Sequence, residues 1–456
     1  MSFEGLALPA ITGTNESSAP SGWIAAHRSY LFLFSLWLIA GGVLLALIAT
    51  ADPNFAAGWD ARVYRGAVTA AHQTGDPYAK ALSVQADFQT VHHHRGDHFP
   101  MTYVYGPVTV PLIRALGRVP EWLLASIYGM LLVLGYSLLL YAGWQMAHEE
   151  ERKWLRYVLP FAVFFPGLLA SDIILSGNIV YVLYGPIMAA AVRGVRRGKW
   201  FCFFAAVLVA GILKPPLLTL LAIAVAGGKK QWVPASVTGA LGVAGYALQQ
   251  YFWPALFAEY LLAVRLQFDW NADFGFGPAG LLGQALYEAH KPLDTAPVVL
   301  YLVFAAIVLA VMLLVKQRVT SHAVPWQDWL PLAILGAFLL NPRIKEYDVA
   351  AITLPMLLLA WRMSSAVVRL GRGRQQEAFG GNWPEPALIF AFGGWFVAFN
   401  MIATQVDWHP TAFGILFGLF VMGAVWLRFT KAFAARQTPV EQIETGSVSG
   451  ILVKSF

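Results

Sequence analysis

The chain has 456 residues, of which 58% are hydrophobic and only 12% charged, and its formal net charge is +6. A typical soluble domain carries about 25% charged residues, so a water-soluble fold of this length could not hide so much apolar surface. The positive balance does not point to nucleic acid, because the basic residues fall in short loops between apolar runs, where they set membrane topology.

The apolar runs are about 20 residues long, enough to cross a bilayer as a helix. They lack the apolar–polar alternation of a membrane β-barrel. The single cysteine, Cys202, lies inside an apolar run, which leaves no disulfide framework and no cysteine-based metal site. The expected fold class is an all-α polytopic integral membrane protein.

In chain order, residues 1–22 are polar and read as a disordered cytoplasmic N-terminus. Residues 23–430 read as one transmembrane domain and 431–456 as a cytoplasmic tail. The run Tyr30 to Thr50 exceeds a signal-peptide core and is expected to be an uncleaved first helix. Further spans are expected at 120–146, 154–171, 178–195, 200–213, 216–228, 232–252, 297–315, 325–341, 349–364, 384–402 and 411–429. The 200–213 and 216–228 pair is short. Its joint, Lys214-Pro215-Pro216, must break a helix, so the pair reads as a hairpin that only partly crosses.

Orientation follows from Lys and Arg. The N-terminus, 147–156, 193–199, 228–231, 316–322, 362–377 and the C-terminus hold most of the 31 Lys and Arg. That side is expected to be cytoplasmic, with both termini inside a cell inner or plasma membrane. The opposite side carries the long loops 51–119 and 253–296, which are expected to cover a site facing the periplasm or exterior. Polar and ionisable residues near a membrane mark function, and most of the Asp residues lie on this side.

Several constellations there carry chemistry. Residues 60–74 read as a short surface helix in which Asp60, Tyr64, Ala67 and Ala71 share a face. Gly75-Asp76-Pro77-Tyr78 ends it. Asp60 is either the helix N-cap or a catalytic base. Phe99 to Pro107, followed by Val108 to Leu116, reads as a re-entrant or interfacial segment; its tyrosines are either interface anchors or site residues. Ser176-Gly177-Asn178 opens a helix, as an ordinary turn or as an anion-attracting N-terminus.

Lys214 is a charge inside apolar sequence. It either needs an anionic partner or snorkels from a helix end. Asn341-Pro342-Arg343-Ile344-Lys345-Glu346-Tyr347-Asp348 is a dense polar turn. Arg343 and Lys345 sit there against the positive-inside trend, either as phosphate ligands or in a local ion-paired turn. His92-His93-His94-Arg95-Gly96-Asp97-His98 matches no closed zinc spacing; a solvated or substrate-touching loop is expected, with no metal.

Asp60-x-x-x-Tyr64-Arg65, then Gly75-Asp76-Pro77-Tyr78, then Tyr103-x-Tyr105-x-Pro107, resembles the N-terminal signature of glycosyltransferase family 87. Gly177-Asn178, Leu213-Lys214-Pro215 and the Asn341 to Asp348 turn resemble later motifs of that family in the same order, so the resemblance spans roughly residues 55–360. In one position the chain departs: it has Tyr347 where many members have His.

The resemblance implies a GT-C fold of about 12 transmembrane helices and transfer of a sugar from a polyprenyl-phosphate donor. Mannose is the family's commonest sugar and arabinofuranose is an alternative. The acceptor would be a glycolipid or polysaccharide hydroxyl, at a membrane-lipid surface and without a cofactor. It implies Asp60 as general base in an inverting displacement. Lys214, Arg343 and Lys345 are then expected at the donor phosphate. Tyr64, Arg65, Tyr105, Asn178, Tyr347 and Asp348 are expected at the substrates. Rival readings are a lipid-linked sugar transporter or flippase, or a polysaccharide polymerase or ligase.

Overall fold

A computed structural model describes residues 59–79, 102–159, 176–269, 274–292, 295–321, 324–375 and 408–434. The spans expected at 30–50 and 384–402, both termini and the His92–His98 segment lie outside the described residues. Among the described residues every regular element is helical and none is a strand.

The helices in order are α1 (Trp59–Gln73), α2 (Val110–Leu116), α3 (Glu121–Met146), α4 (Glu149–Val158), α5 (Val180–Arg197), α6 (Phe201–Leu213), α7 (Leu221–Gly227), α8 (Trp232–Phe252), α9 (Pro254–Asp269), α10 (Pro278–Glu288), α11 (Ala296–Ser321), α12 (Trp326–Leu339), α13 (Thr353–Gln375) and α14 (Trp408–Ala434). Among the described residues three stretches are long and apolar enough to cross a membrane: α3, α11 and Pro410–Arg428 of α14. Their outer surfaces are apolar yet exposed, with Trp122 70%, Val133 67% and Leu302 58% accessible. Water penalises such surface and lipid does not.

Several boundaries move. The stretch 147–156, expected as a loop, is mostly α4. Its first turn is acidic, and the Glu151 carboxylate accepts the His148 backbone N–H at 2.8 Å, the second half of a capping box. Helices α11 and α13 run past the expected 315 and 364 to Ser321 and Gln375. An apolar run marks where lipid ends; a helix continues into water as long as its backbone bonds do.

The short pair forms a hairpin, as its length requires. Helix α6 stops at Lys214, and Pro215 opens a 3₁₀ turn, Pro215–Leu220, that leads back into α7. The Trp200 ring packs over Gly194 and Gly227, so the two ends of the hairpin meet. Thirteen residues of α6 rise only about 20 Å, short of the roughly 30 Å of bilayer hydrocarbon.

Helices α3 and α5 cross with their backbones in contact at Gly135 and Gly185. A Cβ on Gly185 would stand 2.3 Å from the Gly135 carbonyl oxygen. The central core is built from α5, α6, α7, α12 and α13 around side chains such as Tyr184, Phe203, Ile334 and Leu358. A second core joins the two expected cover segments: Ala67, Val68 and Ala71 of α1 with Tyr78, Tyr103 and Ile113, against Phe257, Tyr260, Ala263 and Leu266 of α9.

The loops sort to two ends of the bundle. At one end Arg362 donates to both Glu151 oxygens, at 2.7 and 2.6 Å, and to the Met146 and Gln327 carbonyls. His148 Nε2 meets Asp328 there at 2.8 Å, and Arg196 donates to Gln145. The Arg362–Glu151 pair is almost fully buried, so removing one partner strands a charge at a cost of about 3–5 kcal/mol. Of the polar residues singled out above, Asp60, Asn178, Lys214 and Asp348 lie toward the opposite end.

Candidate functional site

Helix α1 presents Asp60 and Tyr64 from one face to the start of α5. The Asn178 amide donates from Nδ2 to Asp60 Oδ2 at 2.8 Å. Just before α5, Gly177 takes a left-handed conformation (φ +65°), which glycine adopts without strain. Its carbonyl accepts the Tyr128 hydroxyl at 2.6 Å. The Ile179 N–H donates to the Tyr64 hydroxyl at 3.4 Å, and the Tyr64 and Tyr105 hydroxyls are 3.1 Å apart.

Asp60 therefore sits at the N-terminal end of an 18-residue helix, whose dipole favours negative charge. Burial, first of all, pushes the Tyr64 and Tyr105 phenols well above their ordinary values. Both stay protonated and serve as neutral partners beside the carboxylate.

A second cluster lies two turns along α5. The Lys214 ammonium contacts Asp348 Oδ1 at 2.8 Å and stands 4.7 Å above the Tyr347 ring, a cation–π distance. Asp348 is wholly buried. It also accepts the Tyr184 hydroxyl at 3.4 Å and the Lys345 backbone N–H at 3.2 Å. Asn178 precedes α5, and Tyr184 lies in its second turn. The Pro107–Thr109 turn that follows Tyr105 packs beside α6, which carries Lys214 at its end.

Arg343 is half-buried. Its N–H donates to Asn341 Oδ1 at 3.0 Å and its Nη2 to Gln267 Oε1 of α9 at 3.3 Å. The Asn341 Nδ2 is buried without a hydrogen-bond partner among the described residues, and such a donor is costly unless an acceptor meets it.

The sequence-predicted residues thus divide. Asp60, Tyr64, Tyr105 and Asn178 come together, as do Lys214, Lys345, Tyr347 and Asp348, with Arg343 on the same turn. Arg65 departs: it points away, into an exposed ion pair with Glu121 at 2.8 Å. Two residues expected at the substrates are buried instead. Asn178 is 4% accessible and given to Asp60, and Asp348 is given to Lys214. Asp60 lies in the first turn of α1, and its carboxylate reaches across to Asn178, just before α5.

The sequence does not mark Tyr128, Tyr184 and Gln267 as site residues. Each lies in a helix and is indistinguishable by spacing from a core or interface residue. Among the described residues no group of three or more His, Cys, Asp or Glu forms a metal centre. The chain matches no protein-family model, and no curated protein or solved structure is significantly similar to it.

Proposed function

We propose that this chain is a polytopic membrane glycosyltransferase of GT-C architecture with about twelve crossings, resembling glycosyltransferase family 87. It takes a sugar from a polyprenyl-phosphate donor, mannose in the first instance, and transfers it to a hydroxyl of a glycolipid or polysaccharide. The Asp60 end of the bundle faces the periplasm or exterior and the arginine-rich end faces the cytoplasm.

The observation that carries this reading is the pairing at one end of the bundle. An oriented carboxylate, Asp60, is held at the start of α5, and Arg343, Lys345 and the Asp348-paired Lys214 stand on the elements packed beside it. Asp60 accepts the proton of the acceptor hydroxyl. The acceptor oxygen forms its bond to the anomeric carbon as the bond from that carbon to the phosphate oxygen breaks. The electron pair leaves with the lipid phosphate, where fixed cations stabilise it. The buried Asn341 amide donor beside Arg343 suits a phosphate oxygen. One displacement inverts the anomeric centre.

The test is sugar transfer in nanodiscs from a panel of polyprenyl-phosphate sugars to membrane lipid extract, with wild type beside Asp60→Asn. Transfer by wild type and none by folded Asp60→Asn supports the reading. Activity that survives Asp60→Asn moves the base elsewhere. The second reading is a flippase; transporters pair their broken helices between matched halves, and the break at Lys214 has no such partner in the sequence. Wild type that binds lipid phosphates yet transfers no sugar would favour a flippase.

A further inference from the structure

Asn178 is clamped on every side but one. Its Oδ1 accepts the Val180 N–H at 3.0 Å, and its own N–H donates to Ser176 Oγ at 3.2 Å. Tyr128 holds the neighbouring Gly177 carbonyl. With Oδ1 committed to Val180, the amide cannot flip, so Nδ2 must face Asp60, and it does at 2.8 Å. At 4% accessibility the side chain is out of reach of a substrate.

We infer that Asn178 is a positioning residue that acts through Asp60: a fixed neutral amide that sets the direction of the carboxylate. The inference rests on the reading of Asp60 as general base. The chemistry favours an amide over a cation here. A Lys or Arg at this distance would also orient the carboxylate, but it would depress its basicity by one to three units or so. A neutral donor orients it with less loss. The Tyr64 hydroxyl, held by the Ile179 N–H, adds a second uncharged neighbour, and the Tyr105 and Tyr128 phenols also stand near Asp60.

Removing Asn178 also removes the cap on Val180. Asn178→Ser separates the two effects, because a serine hydroxyl still caps Val180 but is too short to reach Asp60. The experiment follows the Asp60 carboxyl band by infrared pH titration in nanodiscs, identified by subtracting the Asp60→Asn spectrum. Steady-state transfer and unfolding temperature are measured alongside.

Loss of a hydrogen bond to a charged group is expected to raise the Asp60 pKa by about one unit in Asn178→Ser. Asn178→Asp places a like charge beside it and is expected to raise it further. In turnover, Asn178→Ser is expected to lower kcat by about tenfold or more with donor KM unchanged. The acid limb of the Asn178→Asp profile is expected to move to higher pH.

An Asp60 band that titrates identically in wild type and Asn178→Ser overturns the inference, whatever the activity. A band that shifts while Asp60→Asn still transfers sugar upholds the positioning role and removes the base reading instead.

Discussion

The Lys214 ammonium lies 2.8 Å from Asp348, 134 residues further along the chain, and that carboxylate has no contact with solvent. The anion that a largely buried lysine requires is thus supplied by the chain itself. A buried pair loses more when one partner is removed than when both charges go, because removal strands a charge. Asp348→Asn is expected to destabilise the protein toward the lower end of about 3–5 kcal/mol, since Lys214 keeps some exposure. Lys214→Met with Asp348→Asn should recover most of that loss, because Asn still accepts the Lys345 N–H. Thermal unfolding in detergent decides it: equal unfolding temperatures for the single and double variants would show that no charge is stranded.

Arg65 makes the opposite case. Its ion pair with Glu121 is more than 60% exposed on both sides, and such pairs contribute about 0–1 kcal/mol. Arg65→Ala is expected to leave both unfolding temperature and sugar transfer within error of wild type. A rise in KM for either substrate would return Arg65 to the site.

The sequence made the ends of the bundle legible and the partners within them only partly so. Apolar run length fixed the existence of α3, α6, α8 and α11 to within a few residues at most of their termini. The proline pair after Lys214 revealed the hairpin, because a helix cannot run through it. Spacing also placed Asp60 and Tyr64 on one face of α1. What spacing could not supply was contact between distant segments: Asp60 with Asn178 and Lys214 with Asp348 are separated by 118 and 134 residues. Arg65 adjoins Tyr64 in the chain, yet about 100° of helical rotation turns it to another face. Two residues of the polar motifs that read as substrate ligands, Asn178 and Asp348, are buried, and each hydrogen-bonds a neighbouring charge.

Glu259 links pH to stability. It stands on α9 against the loop after α1. Burial, then the charge and hydrogen bonding of Asp76, push it from its ordinary 4.5 up to about 7. Below pH 4.5 both folded and unfolded chains hold the proton. Between 4.5 and 7 the unfolded chain has released it while the folded chain keeps it, so stability falls as pH rises. Unfolding temperature is expected to decline from pH 5 to pH 7.5 or so, and Glu259→Gln is expected to flatten that slope. An unchanged slope in Glu259→Gln would place the sensitivity in another group.

A close backbone approach ties packing to the site. At the α3–α5 crossing, a Cβ on Gly185 would lie 2.3 Å from the Gly135 carbonyl oxygen, and one on Gly135 would lie 2.2 Å from that of Tyr181. Backbone on both sides leaves no flexible side chain to yield, so the helices themselves must part. Helix α5 carries Tyr184 and directly follows Asn178, and its displacement moves both charge clusters relative to α1 and α6. Gly185→Ala is expected to destabilise by about 1–3 kcal/mol. A misplacement of about 1 Å at the reacting groups should lower transfer by about 100-fold. Gly129 lies on the same helix, α3, with nothing within 4 Å of a built Cβ. There Ala should be neutral or should stabilise by about 0.5–1 kcal/mol, with transfer unchanged. Unfolding and transfer measured on both variants separate a general effect of glycine loss in α3 and α5 from a specific need for close approach. If Gly185→Ala behaves like Gly129→Ala, the crossing does not set the geometry of the site.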